Sequence, residues 1–185
     1  MEDPIAETLA RFNRGLVLVY TGDGKGKTTA AIGQALRSVG HGSRVLIIQF
    51  MKGKKYGEVL ASEKYLAGML TMLQCGLDSF VMKNDPAPVD IELARQGLAL
   101  AKKAVASGDY QMVVLDEINV ALDFKLVELE DVIEIIKTKP ASLDLVLTGR
   151  YAPADVIELA DMVSEVREIK HHYAQGIKER AGIEY

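Results

Sequence analysis

A nine-residue stretch, Thr21-Gly22-Asp23-Gly24-Lys25-Gly26-Lys27-Thr28-Thr29, joins the apolar run Leu16–Tyr20 to an alanine-rich segment that reads as helix. Strand, glycine loop and helix in this order leave few folds open. Glycines let the chain curl until several N–H groups face one anion, the helix N-terminus adds partial positive charge, and Lys27 adds a full one. The stretch therefore reads as a phosphate cradle, and a nucleoside triphosphate is the first ligand to consider. The general pattern has a longer spacer before its Gly-Lys pair; here Gly22 and Gly26 enclose only three residues. Either Thr21 opens the loop or the loop is a variant.

The rest of the chain supports an alternating architecture. Apolar runs at Arg44–Phe50, Met112–Leu115 and Leu143–Leu147 read as strands buried on both faces of a parallel sheet. Weaker strands are expected near Thr71–Gln74 and Met162–Ile169. Helices are expected from Thr28 to about Val39 with Gly40 as C-cap, near Glu58–Leu66, from Asp90 as N-cap to a stop at Gly108, near Glu128–Lys137, and after Pro153. The expected fold is a three-layer α/β, P-loop (RecA-like) arrangement with a mainly parallel sheet flanked by helices. With 185 residues and 49% hydrophobic content, one domain over 1–185 is expected.

In such a sheet, ligands bind beyond the carboxyl ends of the strands, where the polar residues after each apolar run converge. Gln49-Phe50 with Lys52, Asp116-Glu117 and Thr148-Gly149-Arg150 occupy those positions alongside the phosphate loop. Two carboxylates capping an apolar strand suit a Walker B element. With Thr28, either Asp116 or Glu117 can hold magnesium, or manganese, together with phosphate oxygens. Arg150 at its strand end is a candidate phosphate contact; Arg37 is as easily a solvated arginine. His41, His171 and His172 read as surface histidines, and Cys75 as a packed thiol.

Charge and composition narrow the partners. A net charge of −4, with 22 basic and 26 acidic residues, gives no basic stripe for nucleic acid and no polybasic tract for a membrane. No apolar run approaches the ~20 residues that span a bilayer, and the N-terminal residues lack a signal-peptide pattern, so a cytoplasmic location is expected. One cysteine excludes an internal disulfide, and no Cys/His grouping has zinc spacing.

Six ordered blocks resemble the P-loop-type corrinoid adenosyltransferases of cobalamin synthesis. They are Gly22–Ala31, Arg37–Gly42, Gln49–Gly53, Val113–Glu117, Thr148–Arg150 and the tail from Val163 to Tyr185. The short phosphate loop belongs to that family's pattern. The resemblance implies that a corrinoid reduced to Co(I) attacks the 5′ carbon of ATP, forming a cobalt–carbon bond and releasing inorganic triphosphate. It implies that Gly22, Asp23, Gly24, Lys25, Gly26, Lys27, Thr28 and Thr29 wrap the triphosphate, that Thr28 and Glu117 hold the metal, and that Arg37 and Arg150 contact nucleotide, with Lys27 and Arg150 assisting catalysis and Gln49 in the cofactor site. In the family an aromatic pair after a glycine keeps the lower ligand off cobalt. The matching stretch here is Gly76–Phe80, in a chain without tryptophan, so Phe80 is the candidate. An N-terminal segment, residues 1–14, closing over the corrinoid, an external reductant such as a flavoprotein, and a homodimer complete what the resemblance implies. Two other readings remain: a P-loop ATPase or kinase moving the γ-phosphoryl group, and a non-catalytic ATP-dependent corrinoid-binding module. The first would give ADP and phosphate, the second no turnover.

Overall fold

The computed structural model describes residues 14–185; the segment expected to close over a corrinoid lies almost wholly outside them. The elements run β1 (Val17–Thr21), α1 (Lys27–Gly40), β2 (Val45–Phe50), α2 (Gly57–Tyr65), β3 (Leu70–Cys75), α3 (Pro88–Ser107), β4 (Met112–Asp116), α4 (Ile118–Asp123), α5 (Leu129–Thr138), β5 (Asp144–Thr148), α6 (Ala154–Leu159), β6 (Met162–Glu165) and a closing 3-10 turn at His172–Gln175. Every strand pairing is parallel, in the order β3-β2-β4-β5-β1-β6. All six carboxyl ends therefore open on one edge.

Period-two alternation divides the core. Val17, Val19, Leu46, Ile48, Val113, Leu115, Leu145 and Leu147 point to the face covered by α3, α4, α5 and α6, while Leu18, Val45, Ile47, Met112, Val114 and Val146 point to the face covered by α1. Ala31 and Ala35 are the α1 residues buried against the sheet. Their small side chains let the helix lie close to β1, β4 and β5, which fixes its first turn over the carboxyl end of β1. One strand, β5, separates the loop-bearing β1 from β4 with its terminal carboxylates.

Some local expectations shift. α1 continues through Gly40, and the left-handed residue that ends it is Gly42 (φ +84°), whose N–H donates to the Val39 carbonyl at 2.9 Å. α3 begins at Pro88, so Asp90 sits in the first turn rather than at the cap, and its carboxylate accepts the Ala87 N–H at 3.2 Å. Pro88 supplies the earlier start because its fixed φ suits a first helical residue. Gly108 does terminate α3 in the left-handed conformation, φ +73°. The short helix α4, directly after β4, carries no sequence signal long enough to announce it, and β6 stops at Glu165, where the chain leaves the sheet edge to pass the phosphate loop.

Candidate active site

Backbone strain gathers at the carboxyl edge. Gly22 and Gly26 (φ +94° and +121°) shape the loop after β1, Met51 (φ +59°) follows β2, Glu117 (φ +63°) follows β4, and Gly149 and Tyr151 (φ +126° and +61°) flank Arg150 after β5. Left-handed backbone costs a side-chain-bearing residue about 1–2 kcal/mol, and here it turns Lys52, Glu117 and Arg150 toward a common cleft.

Gly24 meets a second constraint. Its N–H donates to the Val166 carbonyl at 2.8 Å, and a Cβ on it would lie 2.7 Å from the Arg167 carbonyl carbon. The loop is thereby clamped against the chain leaving β6. Gly24→Ala is expected to push the two apart and weaken ATP binding at least tenfold, read by calorimetric titration; an unchanged affinity would show the clamp to be dispensable. Within the loop, the buried Lys27 Nζ donates to the carbonyls of Gly22 and Gly24, both at 2.7 Å. Burial lowers its pKa, opposed chiefly by Glu117.

Asp116 is the polar centre of the edge. It is fully buried, and its Oδ1 accepts from the hydroxyls of Thr28 (2.8 Å) and Thr148 (2.7 Å), its Oδ2 from Lys52 Nζ (2.8 Å) and Gln49 Nε2 (3.0 Å). Four donors fill the approximately four acceptor positions of a carboxylate. Burial alone would raise this carboxyl, but Lys52 and the hydroxyls outweigh it and hold it below the ordinary range. Lys52 moves the opposite way: burial opposes its charge, and Asp116 and Glu117 raise it above the usual lysine value. Thr148 also accepts the Glu117 N–H at 2.9 Å, tying β5 to the turn after β4.

Glu117 faces the cleft, together with Asp23–Thr29, Lys52 and Arg150. Burial first and the Asp116 charge second raise its pKa, with Lys52, Lys27 and Arg150 opposing. The cleft holds about 800 Å³, within the range of small-ligand sites. Its far wall is the C-terminal tail. Lys25 Nζ donates to the Ile183 carbonyl at 2.8 Å, and the Tyr185 ring lies 6.4 Å from Tyr56 and 5.0 Å from Lys54 Nζ. Ile32 of α1, Ala61 of α2 and Ile183 of the tail add apolar side chains to the cleft lining.

The edge thus brings together most of the residues expected there: Asp23, Gly24, Lys25, Gly26, Lys27, Thr28, Thr29, Glu117 and Arg150 line the cleft, and Gly22 supports Lys27 from behind. Four expectations change. Asp116 stands behind Thr28 and Lys52 rather than open to a metal, because its acceptor positions are taken. Gln49 is fully buried and acts on Asp116, accepting in turn from Gln74 at 3.0 Å. Arg37 is exposed beside Gln34, ten residues beyond Lys27, or about 15 Å along the helix axis. Phe80 is 99% exposed and outside the cleft lining. Sequence reasoning missed the Lys52–Asp116 pair, the Tyr56–Tyr185 wall and the cleft position of His171. A lysine two residues past a buried strand was the available signal for the first; nothing in the tail's pattern announced the others.

Comparison with known proteins covers almost the whole chain. The model of the ATP:corrinoid adenosyltransferase BtuR/CobO/CobP family matches residues 13–185. Corrinoid adenosyltransferase of Escherichia coli K12 is 36% identical over 177 residues, 95% of this chain and 88% of that protein. Corrinoid adenosyltransferase CobA of Salmonella typhimurium shows the same identity and coverage. The Pseudomonas aeruginosa corrinoid adenosyltransferase is 35% identical over 185 residues, all of this chain and 90% of its own. Among solved structures, a KaiC-like protein from Pyrococcus horikoshii superposes with a TM-score of 0.56 at 17% identity, covering 85% of this chain and 75% of that one. That likeness speaks for the fold alone.

Proposed function

The chain belongs to the ATP:corrinoid adenosyltransferase family, and on that premise we propose that it transfers the 5′-deoxyadenosyl group of ATP to the Co(I) of a corrinoid, releasing inorganic triphosphate. The observation carrying this is the phosphate end of the cleft, where the loop N–H groups, Lys27, Lys52 and Arg150 surround space for an anionic leaving group. Co(I) brings its own electron pair, so attack on the ribose carbon requires no side chain to remove a proton. The protein's work is to hold cobalt, carbon and leaving oxygen in line and to stabilise negative charge as the C–O bond breaks. Lys27 leaves the carbonyls of Gly22 and Gly24 for phosphate oxygens, and the loop amides supply the remaining donors. Arg150 adds a guanidinium at the same end.

A divalent cation fits the donors present. Thr28 presents a hydroxyl whose proton is already given to Asp116, leaving its lone pairs available, and Glu117 presents a carboxylate toward the cleft. Among the described residues no three His, Cys, Asp or Glu side chains gather to hold a metal, so magnesium bound by Thr28 and Glu117 would need phosphate and water to complete its ligands. When bound it would neutralise part of the triphosphate charge. Thr28 and Glu117 are the proposed ligands, with Asp116 orienting Thr28. Arg37 lies too far along α1 for the phosphate end, and Phe80, on the exposed loop after β3, is proposed only as a surface that corrinoid covers. One domain for the chain and a cytoplasmic location, expected from length and sequence pattern, and a homodimer and a flavoprotein-type reductant, implied by the family resemblance, belong to the same proposal. No helix among the described residues is long and apolar enough to cross a membrane.

Anaerobic incubation with ATP, magnesium, reductant and cob(I)alamin tests the reading. The visible spectrum is expected to convert to that of adenosylcobalamin, and conversion no faster than without protein would reject it. For Arg150, hydrogen bonds to charged groups contribute about 1.5–3 kcal/mol. Arg150→Ala should lower kcat/KM for ATP by about ten- to hundredfold. A change below about twofold would return Arg150 to the solvated surface.

A further inference from the structure

Lys52 Nζ lies 2.8 Å from Asp116 Oδ2 and 3.3 Å from Thr28 Oγ1. It thus touches both the hydroxyl proposed as a metal ligand and the carboxylate that orients that hydroxyl. Of the four donors on Asp116, it alone is charged and reaches in from the cleft; Gln49 and Thr148 are fully buried, and Thr28 belongs to the loop itself. Lys52 also hangs from a flexible four-carbon stem, on a segment held at its base by the left-handed Met51 and by Gly53, where a Cβ would meet the Leu77 backbone at 2.6 Å. The base of the residue is fixed, while the stem beyond it keeps its rotatable bonds.

We propose that Lys52 is a tethered placeholder cation: its ammonium and the divalent metal are alternative counter-charges to Asp116 beside Thr28, and entry of metal with ATP at Thr28 and Glu117 drives Lys52 off Asp116 onto the triphosphate. The inference rests on the nucleotide reading above and adds to it a residue and an order of events. It follows from charge. A buried carboxylate without a counter-charge is costly, so in the absence of metal and nucleotide Asp116 needs a resident cation. Once a divalent ion is on Thr28, the ammonium beside Thr28 is repelled, and the triphosphate oxygens entering the cleft offer it the nearest negative charge. Magnesium without nucleotide must displace Lys52 unaided, so the free protein is expected to ignore it.

The test uses thermal unfolding without nucleotide or corrinoid. Wild type should show the same Tm with and without millimolar magnesium. Lys52→Met should melt lower in the absence of metal, by an amount on the order of 10 °C, and regain most of the loss when magnesium is added. Lys52→Arg, which keeps the charge, should show no such recovery. A Lys52→Met protein indifferent to magnesium would overturn the proposal. Should that variant fail to fold, a crystal structure of wild type with ATP and magnesium decides. Support is a metal about 2.1 Å from Thr28 Oγ1 with Lys52 Nζ withdrawn from Asp116 to a phosphate oxygen. ATP bound with the Lys52–Asp116 pair intact would reject this inference alone, whereas failure of ATP to bind would reject the nucleotide reading with it.

Discussion

Lys27→Ala is expected to lower kcat/KM for ATP by about three orders of magnitude while the protein keeps its fold. A unit-charge contact at about 4 Å in an effective dielectric near 20 contributes roughly 4 kcal/mol before desolvation, and each ~1.4 kcal/mol is tenfold in rate. Lys27 is already buried within its loop and held by two carbonyls at 2.7 Å. Its ammonium therefore reaches phosphate with little further loss of freedom, and breaking those two bonds offsets part of the gain. Stability should change little, or rise, because burial works against the charged form of this lysine. Steady-state kinetics beside a thermal melt checks both halves. Activity within tenfold of wild type would mean that the loop does not hold the leaving group.

The second large effect falls on stability. Asp116→Ala removes the acceptor of four hydrogen bonds and leaves Lys52, Thr28, Thr148 and Gln49 facing one another in a buried site. Removing one partner of a buried ion pair typically costs about 3–5 kcal/mol. At about 2–4 °C per kcal/mol for a chain of this size, Tm should drop by on the order of 10 °C. Asp116→Asn should cost less, since one amide oxygen still accepts, but its NH₂ group would oppose the Lys52 ammonium. Glu117→Gln is the informative contrast. That carboxylate's pKa is raised by burial and by Asp116, so neutralising it should preserve or improve stability while impairing activity. Equal melting losses for Asp116→Ala and Glu117→Gln would contradict the division between a buried organiser and a cleft-facing ligand.

The parts of this site legible from the sequence are those where a strand end is followed at once by chemistry. Gly22–Thr29, Asp116-Glu117 and Thr148-Gly149-Arg150 each attach to a run of buried aliphatic residues. A parallel sheet brings those ends together whatever the details of its loops. The family resemblance rested on these three blocks and on Arg37–Gly42, Gln49–Gly53 and the tail from Val163 to Tyr185. Less legible were features set by rotamer or by tertiary contact. Asp116 and Glu117 are adjacent in sequence, yet one points into the core and the other into the cleft. The division comes from the end of β4 and the left-handed turn at Glu117, which no spacing rule encodes. Arg37 shares a helix with Thr28, but helical rise carries it away from the loop. The tail from Lys170 onward is polar and without period, so nothing announced that Ile183 would meet Lys25 or that Tyr185 would approach Tyr56. Gly42 took the turn expected of Gly40 because α1 runs one residue past Val39.

In an adenosyl transfer the phosphate loop holds a leaving group, and in a phosphoryl transfer it holds the group that moves. The phosphorus products of a single anaerobic turnover with cob(I)alamin, resolved by ³¹P NMR beside the yield of adenosylcobalamin, separate the two. One inorganic triphosphate per cobalt–carbon bond formed is the predicted result. ADP and orthophosphate, with the corrinoid unalkylated, would contradict it.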